Sequence, residues 1–474
     1  MLLPPTPASV TAYLDRHVGR EPGTKIQYGH PSPRFWQPGQ PPLAELLARV
    51  DPHRPLNLYL HIPFCPPTDP QACGFCLFAR EDYHSYAHVE AYMADLYIEL
   101  RHVAALLGRR TLHTLYFGGG TPNILNEASI REVFARLHDA FDIPAGCETT
   151  FEGTPGLFTP GRLEALAEVG VTRISVGAQT LKAHLIKYSG RTQRSEHIQR
   201  TVEFCRARGM QCSVDLITGW FEQTPQDVVD DIRTLHGWGV SGIVNHPLTL
   251  GGDSDFARRK HELPPTEVTR DAFLAGRDTM LDLGYRADGY TDYSRADLAP
   301  VRFLEMYRDI LHHDRVGIGY GANSLLSGTY ANPAHTFKNV VGREAYHARV
   351  ASFSNDGGGG SCVDAVFPFA PIDLQLMYVL KGLEGCPYLD ASAYAAEFGR
   401  DLAEDFAPWW TALTDRGWLD WNDGKPRLLG EGIFYTSEVQ RCLSEPRNAT
   451  LRRETRAGDD GVRSPGSLSL GSNV

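Results

Sequence analysis

Leu56-Asn57-Leu58-Tyr59-Leu60-His61-Ile62-Pro63-Phe64-Cys65 is an apolar run rich in strand formers; it stops at a proline and opens into a loop that ends Cys73-Gly74-Phe75-Cys76. That loop gathers three of the nine cysteines, and no fourth follows until Cys147. Three clustered thiols suit a metal centre with an open coordination position. A 4Fe–4S cluster on three thiolates leaves one iron free for a small ligand. Structural zinc would want a fourth Cys or His, and the nearby His61 and His84 sit at no familiar finger spacing. A zinc loop and plain buried thiols stay open as readings of the spacing alone.

Outward from this loop, residues 56 to about 250 alternate short apolar strands with amphipathic helices. Strands are predicted at 56–62, 114–118, 148–152, 173–177, 211–217 and 243–249, and helices at about 86–107, 128–140, 160–169, 194–208 and 225–238. Repeated strand–helix units call for a parallel sheet with right-handed crossovers. Six units fall short of a closed eight-unit barrel, so the fold class is α/β, an incomplete (β/α)6 barrel.

In such a barrel the C-terminal strand ends form the ligand face. Here those ends carry Gly118-Gly119-Gly120-Thr121, Glu152, Gln179, Asp215 and, after Asn245, His246, and the cysteine loop opens on the same side. Glu152 can accept from an ammonium group and Asp215 from ribose hydroxyls. Gln179 both donates and accepts, and Arg191 can fork onto a carboxylate. The glycine turn lets a ligand approach the backbone. Taken singly, each residue is as ordinary as a cap or a solvated side chain; together they complement an amino-acid nucleoside. His246 is the candidate for proton transfer or substrate contact, against the plainer reading of a hydrogen-bonded wall residue.

The flanks are less regular. Residues 1–50, rich in Pro and Gly, read as an N-terminal arm anchored by Phe35 and Trp36. The barrel and its extension take 51–345, a Gly-rich linker 346–361, and a small, mainly helical C-terminal domain with Trp409, Trp410, Trp418 and Trp421 takes 362–442. The polar tail 443–474 is expected to be disordered. Cys147, Cys205, Cys212, Cys362, Cys386 and Cys442 read as structural thiols.

Composition narrows the function classes. The 474 residues carry a net charge of −11, which argues against nucleic acid and anionic membranes as partners. The N-terminus is too short in apolar residues and too Pro-rich for a signal peptide, and no run is long enough to span a membrane. Nine cysteines without an export signal fit a cytoplasmic protein that keeps its thiols for metal or as free thiols, not for a disulfide framework.

With these residues in view, the chain resembles radical S-adenosylmethionine (SAM) enzymes of the oxygen-independent coproporphyrinogen III oxidase-like group. The resemblance rests on Tyr59-Leu60-His61-Ile62-Pro63-Phe64-Cys65, Phe117-Gly118-Gly119-Gly120-Thr121-Pro122, the strand ending in Glu152, Ser175-Val176-Gly177-Ala178-Gln179, Gly190-Arg191 and Asp215-Leu216-Ile217. It implies a radical SAM barrel in which Cys65, Cys73 and Cys76 hold a 4Fe–4S cluster. It also implies that Tyr59, Gly119, Gly120, Thr121, Glu152, Gln179, Arg191 and Asp215 contact one or two SAM molecules. The group normally spaces its cysteines Cys-x-x-x-Cys-x-x-Cys, whereas here Pro66–Ala72 separate the first two.

Within the group, an oxidase carries another Cys just past the last ligand, where this chain has Leu77-Phe78. A haem chaperone shows a His-Asn…Tyr-Trp signature, where this chain has Glu305-Met306-Tyr307-Arg308. By exclusion the resemblance points to class C radical SAM methyltransferases and cyclopropane-forming enzymes, which use a second SAM as carbon donor to an sp2 carbon of a natural product. Porphyrin oxidation and haem binding or delivery are the alternatives. The implied partners are a small-molecule substrate, an external one-electron reductant of the flavodoxin or ferredoxin type, and, in one arrangement, a separate methyltransferase.

Overall fold

A computed structural model describes residues 5–19, 30–67, 73–251, 254–353, 360–384 and 389–458. The six expected strands form: β1 Leu56–Ile62, β2 Leu112–Gly119, β3 Glu148–Gly153, β4 Arg173–Gln179, β5 Gln211–Thr218 and β6 Gly242–Pro247. Between them run α1 Tyr86–Leu107, α2 Glu127–Ala140, α3 Pro160–Glu168, α4 Ser195–Ala207 and α5 Pro225–Trp238. Three of these helices begin where a short polar side chain satisfies a free N–H: Asn126 at α2, Thr159 at α3 and Thr224 at α5. Gly239, in the left-handed conformation, ends α5.

Alternation along the strands explains the layering. Leu58, Leu60, Ile62, Leu115, Phe117, Ile174, Val176, Val214 and Leu216 join the helix residues Val89, Leu96, Ile130 and Phe134 in one core. The intervening positions are polar and bond to one another across the strands. Thr114 donates to Asn57 at 2.7 Å, Arg173 to Ser213 at 2.9 Å and Ser175 to Asp215 at 3.1 Å. The sheet therefore has a greasy outer face under the helices and a polar inner face.

β1 to β6 are consecutive parallel neighbours, and the sheet extends on both sides. β7 Tyr285–Ala287 and β8 Asp292–Arg295 close one flank, β8 pairing antiparallel with β6. On the other, β9 Asp314–Ile318 pairs parallel with β1, followed by antiparallel β10 Asn323–Thr329, β11 Asn332–Asn339 and β12 Val363–Pro368. With a two-residue edge at Gln37–Pro38 the sheet has, among the described residues, thirteen strands and two free ends, an open barrel.

Several expected boundaries move. The arm is not wholly irregular: Pro7–His17 is a helix capped by Thr6 that buries Val10 and Leu14 against the C-terminal helices Ala407–Asp415 and Thr436–Gly458. Trp36 is buried and donates to the Pro31 carbonyl at 3.1 Å. Helix Arg343–Ala351 occupies the start of the expected 346–361 linker, and 354–359 lie outside the described residues. β12 belongs to the main sheet, because Val363, Ala365 and Phe367 alternate as buried residues beside β11, so the helical region begins near Pro371 and not at 362. The hairpin Leu419–Asn422/Lys425–Leu428 lies within that region, ahead of its last helix.

The largest correction concerns the tail. Residues 443–458 continue the helix Thr436–Gly458. Val439, Cys442, Leu443 and Leu451 recur at helical spacing and are buried, a stripe hidden by the polar composition around it. Residues 459–474 and Cys386 lie outside the described residues.

A buried ion triad ties arm to C-terminal region. Asp373 accepts from His30 Nε2 at 2.7 Å and from Arg447 Nε and Nη2 at 2.9 and 3.0 Å. Burial would raise the Asp373 carboxyl, but the His30 and Arg447 bonds win and hold it below its ordinary 3.8. Asp373→Ala, which leaves His30, Arg447 and the Ala370 N–H without their acceptor, is expected to cost about 3–5 kcal/mol in urea unfolding. Because the folded-state value is depressed, the stability Asp373 adds is present above its unfolded value and is lost as pH falls through the folded one. The gap between wild type and variant should therefore stay flat down to that range and close below it.

Candidate active site

Parallel register brings the strand ends together. Tyr59 lies beside Tyr116, Glu152 beside Ser175, Gly177 beside Asp215, and Ile217 beside His246. Glu152 and His246 stand at the C-terminal ends of their strands, on the side where the cysteine loop leaves β1, with Tyr59, Tyr116, Ser175 and Asp215 nearer mid-strand.

Glu152 accepts from the Tyr116 hydroxyl at 2.5 Å, and loss of water around its carboxylate pushes it up to about 7. Asp215 is also raised by burial, opposed by His246, Arg173 and the Ser175 hydroxyl, which reaches both carboxylate oxygens at 3.1 Å. Arg173 is buried beneath these groups and donates to Ser213 and, at 3.4 Å, to Thr150. His246 is exposed at the end of β6, close enough to Asp215 to lower it. Sequence reasoning missed Tyr116, Arg173, Ser175 and Asp292 as members of this set. The alternation Arg173-Ser175-Gly177 was a usable signal; Asp292 had none, because it arrives from antiparallel β8 opposite Val244.

The glycines also have a packing role. Gly119 has φ +112°, and a Cβ there would lie 2.7 Å from the His61 ring; one on Gly120 would lie 2.4 Å from the Pro63 carbonyl. They let the end of β2 press against the chain leaving β1. Gly177 is covered by the Gln179 amide, and Gln179 itself sits at φ +69° beside a bulge in β4. Tyr59 and Nδ1 of His61 are 3.0 Å apart, and His61 Nε2 lies 3.2 Å from the Ala79 carbonyl. Burial holds His61 down to about 4, so the neutral ring donates from Nε2 and accepts from Tyr59. This chain of bonds ties β1 to the loop just past Cys76.

Cys65, Cys73 and Cys76 are free thiols within electrostatic reach of one another. Each sulfur meets a donor: the Thr121 hydroxyl at Cys65 (3.6 Å), Arg191 Nη1 at Cys73 (3.8 Å) and the Phe78 N–H at Cys76. Donors aimed at sulfur are what thiolates require. Among the described residues no three His, Cys, Asp or Glu side chains stand close enough to share a single ion. Three cysteine sulfurs carried on one loop are a donor set that fits three irons of a 4Fe–4S cluster and leaves the fourth iron open. Arg191 is more committed than expected: it also donates to the Gly177 carbonyl, to Thr154 at 3.2 Å and to Gln193 at 2.6 Å, so it orders the mouth from within.

The Radical SAM superfamily signature matches residues 59–235. The oxygen-independent coproporphyrinogen III oxidase of Paracoccus denitrificans is 31% identical over 313 residues, covering 62% of this chain and 68% of the oxidase. The chain belongs to the oxygen-independent coproporphyrinogen III oxidase-like group of the radical SAM superfamily. A second relative in the group, the haem chaperone HemW of Haemophilus influenzae, is 27% identical over 58% of this chain and 71% of its own. The solved coproporphyrinogen III oxidase of Escherichia coli, a radical SAM enzyme, superposes with a TM-score of 0.75 at 22% identity over 88% of this chain and 96% of its own. That likeness extends the shared fold beyond the barrel into the flanks. As a radical SAM protein the chain takes a 4Fe–4S cluster and SAM. Among the described residues no helix is long and apolar enough to cross a membrane.

Proposed function

We propose that this chain cleaves SAM reductively at a cluster held by Cys65, Cys73 and Cys76, and that its substrate is a porphyrin-type tetrapyrrole. The observation that carries the first part is the set of three sulfurs, each met by its own donor, at the mouth of a polar half-barrel. The second part leans on the relatives' names, an oxidase of coproporphyrinogen III and a haem chaperone, which favour porphyrin chemistry over methyl transfer.

When bound, the cofactors supply the electron that breaks the S–C5′ bond of SAM and the hydrogen-abstracting group that results. The protein's own residues position and enclose. Glu152, held by Tyr116, accepts from the ammonium of SAM. Asp215, held by Ser175 over Arg173, accepts from ribose hydroxyls. Gln179 and the Gly119–Thr121 backbone border the nucleoside, and Tyr59 shapes the floor beside Tyr116. His246, exposed beside Asp215, meets the substrate and moves a proton. A one-electron reductant of the flavodoxin or ferredoxin type serves the cluster.

A second reading keeps methyl or methylene transfer from a second SAM. It is favoured by Leu77-Phe78 where the oxidases carry a further cysteine, and by Phe78 being one of few large apolar side chains exposed among the described residues, at 37%. One experiment separates the readings. Anaerobically reconstituted protein is given SAM and dithionite with coproporphyrinogen III, with haem, or with methyl-deuterated SAM and candidate sp2 acceptors. Oxidised porphyrin product with 5′-deoxyadenosine supports the proposal. Haem capture without deoxyadenosine assigns delivery, and S-adenosylhomocysteine with a labelled product assigns carbon transfer and overturns the porphyrin reading.

A further inference from the structure

The long cysteine spacing poses a mechanical problem. Seven residues, Pro66–Ala72, lie between Cys65 and Cys73, against three in the group's usual pattern. A longer spacer fixes the second and third thiols less tightly through the chain itself. Something else has to hold the Cys73–Cys76 turn in place.

The structure shows contacts able to do so. Both backbone polar groups of Gly74 are tied to other loops: its N–H donates to the Ser189 carbonyl at 3.1 Å, and its carbonyl accepts from Phe256 N–H at 2.9 Å. The Phe256 ring lies against the bare face of Gly74, where a Cβ would come within 2.4 Å of ring carbon Cε1. Phe256 is completely buried, with ring centroids of Tyr188 at 5.1 Å, Trp220 at 5.7 Å and Phe75 at 6.2 Å. The segment carrying it is pinned in turn. Ser254 caps the short helix Asp255–Arg258. Arg259 pairs with Asp255 at 3.1 Å and Glu262 at 2.8 Å and lies 4.3 Å over the Tyr188 ring, while the Tyr188 hydroxyl donates to Glu262 at 3.2 Å.

We infer, on the reading that Cys65, Cys73 and Cys76 hold the cluster, that Phe256 and the segment Ser254–Glu262 form a brace that locks the Cys73–Cys76 turn in its cluster-holding shape. Phe256 touches no reacting atom and is a positioning residue. The glycine between the second and third ligands is required because the brace sits on it.

The test uses the full chain, reconstituted with iron and sulfide without oxygen, as wild type, Phe256→Leu, Gly74→Ala and a control, Phe398→Leu, in the C-terminal core. Iron release to a chelator, the electron paramagnetic resonance spectrum of the reduced cluster, and the melting temperature of the metal-free chains are measured. The brace predicts iron loss about 10–100-fold faster in Phe256→Leu and Gly74→Ala than in wild type, with an altered spectrum. It predicts wild-type iron retention in Phe398→Leu, although that variant also melts earlier. Wild-type release rates and spectra in both Phe256→Leu and Gly74→Ala overturn the brace. Wild-type protein that takes up no cluster at all overturns instead the ligand assignment beneath it. Gly74→Ala keeps the test decisive if Phe256→Leu fails to fold.

Discussion

Exchange of Cys65, Cys73 or Cys76 for alanine is expected to leave a chain that folds but retains almost no iron and forms no 5′-deoxyadenosine. Three thiolates are the fewest that hold a four-iron cube while leaving one corner open, so no spare ligand covers the loss of one. Without a cation beside them, the Cys65 and Cys76 thiols favour the neutral form. Burial pushes the Cys65 thiol up to about 12, so a negative sulfur there needs a positive partner, which bound metal supplies. The three residues are partly exposed and contribute little to the core, which is why folding should survive. Cys442→Ala is the contrast: a fully buried thiol in the C-terminal core, whose loss should lower the melting temperature and leave iron content unchanged. Iron and sulfide assays with product analysis on the four variants check both halves. Wild-type deoxyadenosine formation by any one of the three loop variants would remove the ligand assignment.

Glu152→Gln is expected to weaken SAM binding by about 10–100-fold, the weight of a hydrogen bond to a charged group, about 1.5–3 kcal/mol. The shape of the isostere and the Tyr116 contact are kept, so what is lost is the negative charge opposite an ammonium. The pH dependence makes this specific. Glu152 lies at about 7 in the folded chain against an ordinary 4.5, because burial disfavours its charged form. A raised carboxyl stabilises the empty fold fully below its unfolded value, and that contribution is lost as pH rises through the folded one. A bound ammonium reverses the preference, so SAM binding should expel a proton below about 7, and affinity should climb as pH rises toward about 7 and level off above it. Calorimetric titration in buffers of different ionisation enthalpy reads the released proton directly. Glu152→Gln should abolish both release and slope; an unchanged slope would place the titrating group elsewhere.

Much of the barrel was readable because its elements are encoded locally. Strand alternation at Leu58-Leu60-Ile62 and Ile174-Val176, and the helical spacing of Val89, Tyr92, Met93, Leu96 and Leu100, are properties of neighbours within a few residues. The same alternation placed Glu152 at a strand end. The flanks misled where composition masked pattern. The Thr436–Gly458 helix looks like a polar tail until its sparse apolar stripe is seen against the partner that buries it. The choice between porphyrin oxidation and carbon transfer was drawn from two absent signatures at Leu77-Phe78 and Glu305–Arg308, and the relatives found favour the porphyrin side.

The chain's order of residues by itself determined the six strand–helix units, the cysteine loop after the first of them, and the polar side chains at the strand tips. Only the tertiary structure decided that Tyr116 holds Glu152, that Arg173 lies under Asp215, that Asp292 joins them from an antiparallel strand, and that Phe256 rests on Gly74. The physical reason is range. Periodicity and capping act over one or two turns, whereas these contacts join residues tens to hundreds of positions apart, and they come into being only when strand register and loop packing are set by burial of the whole core.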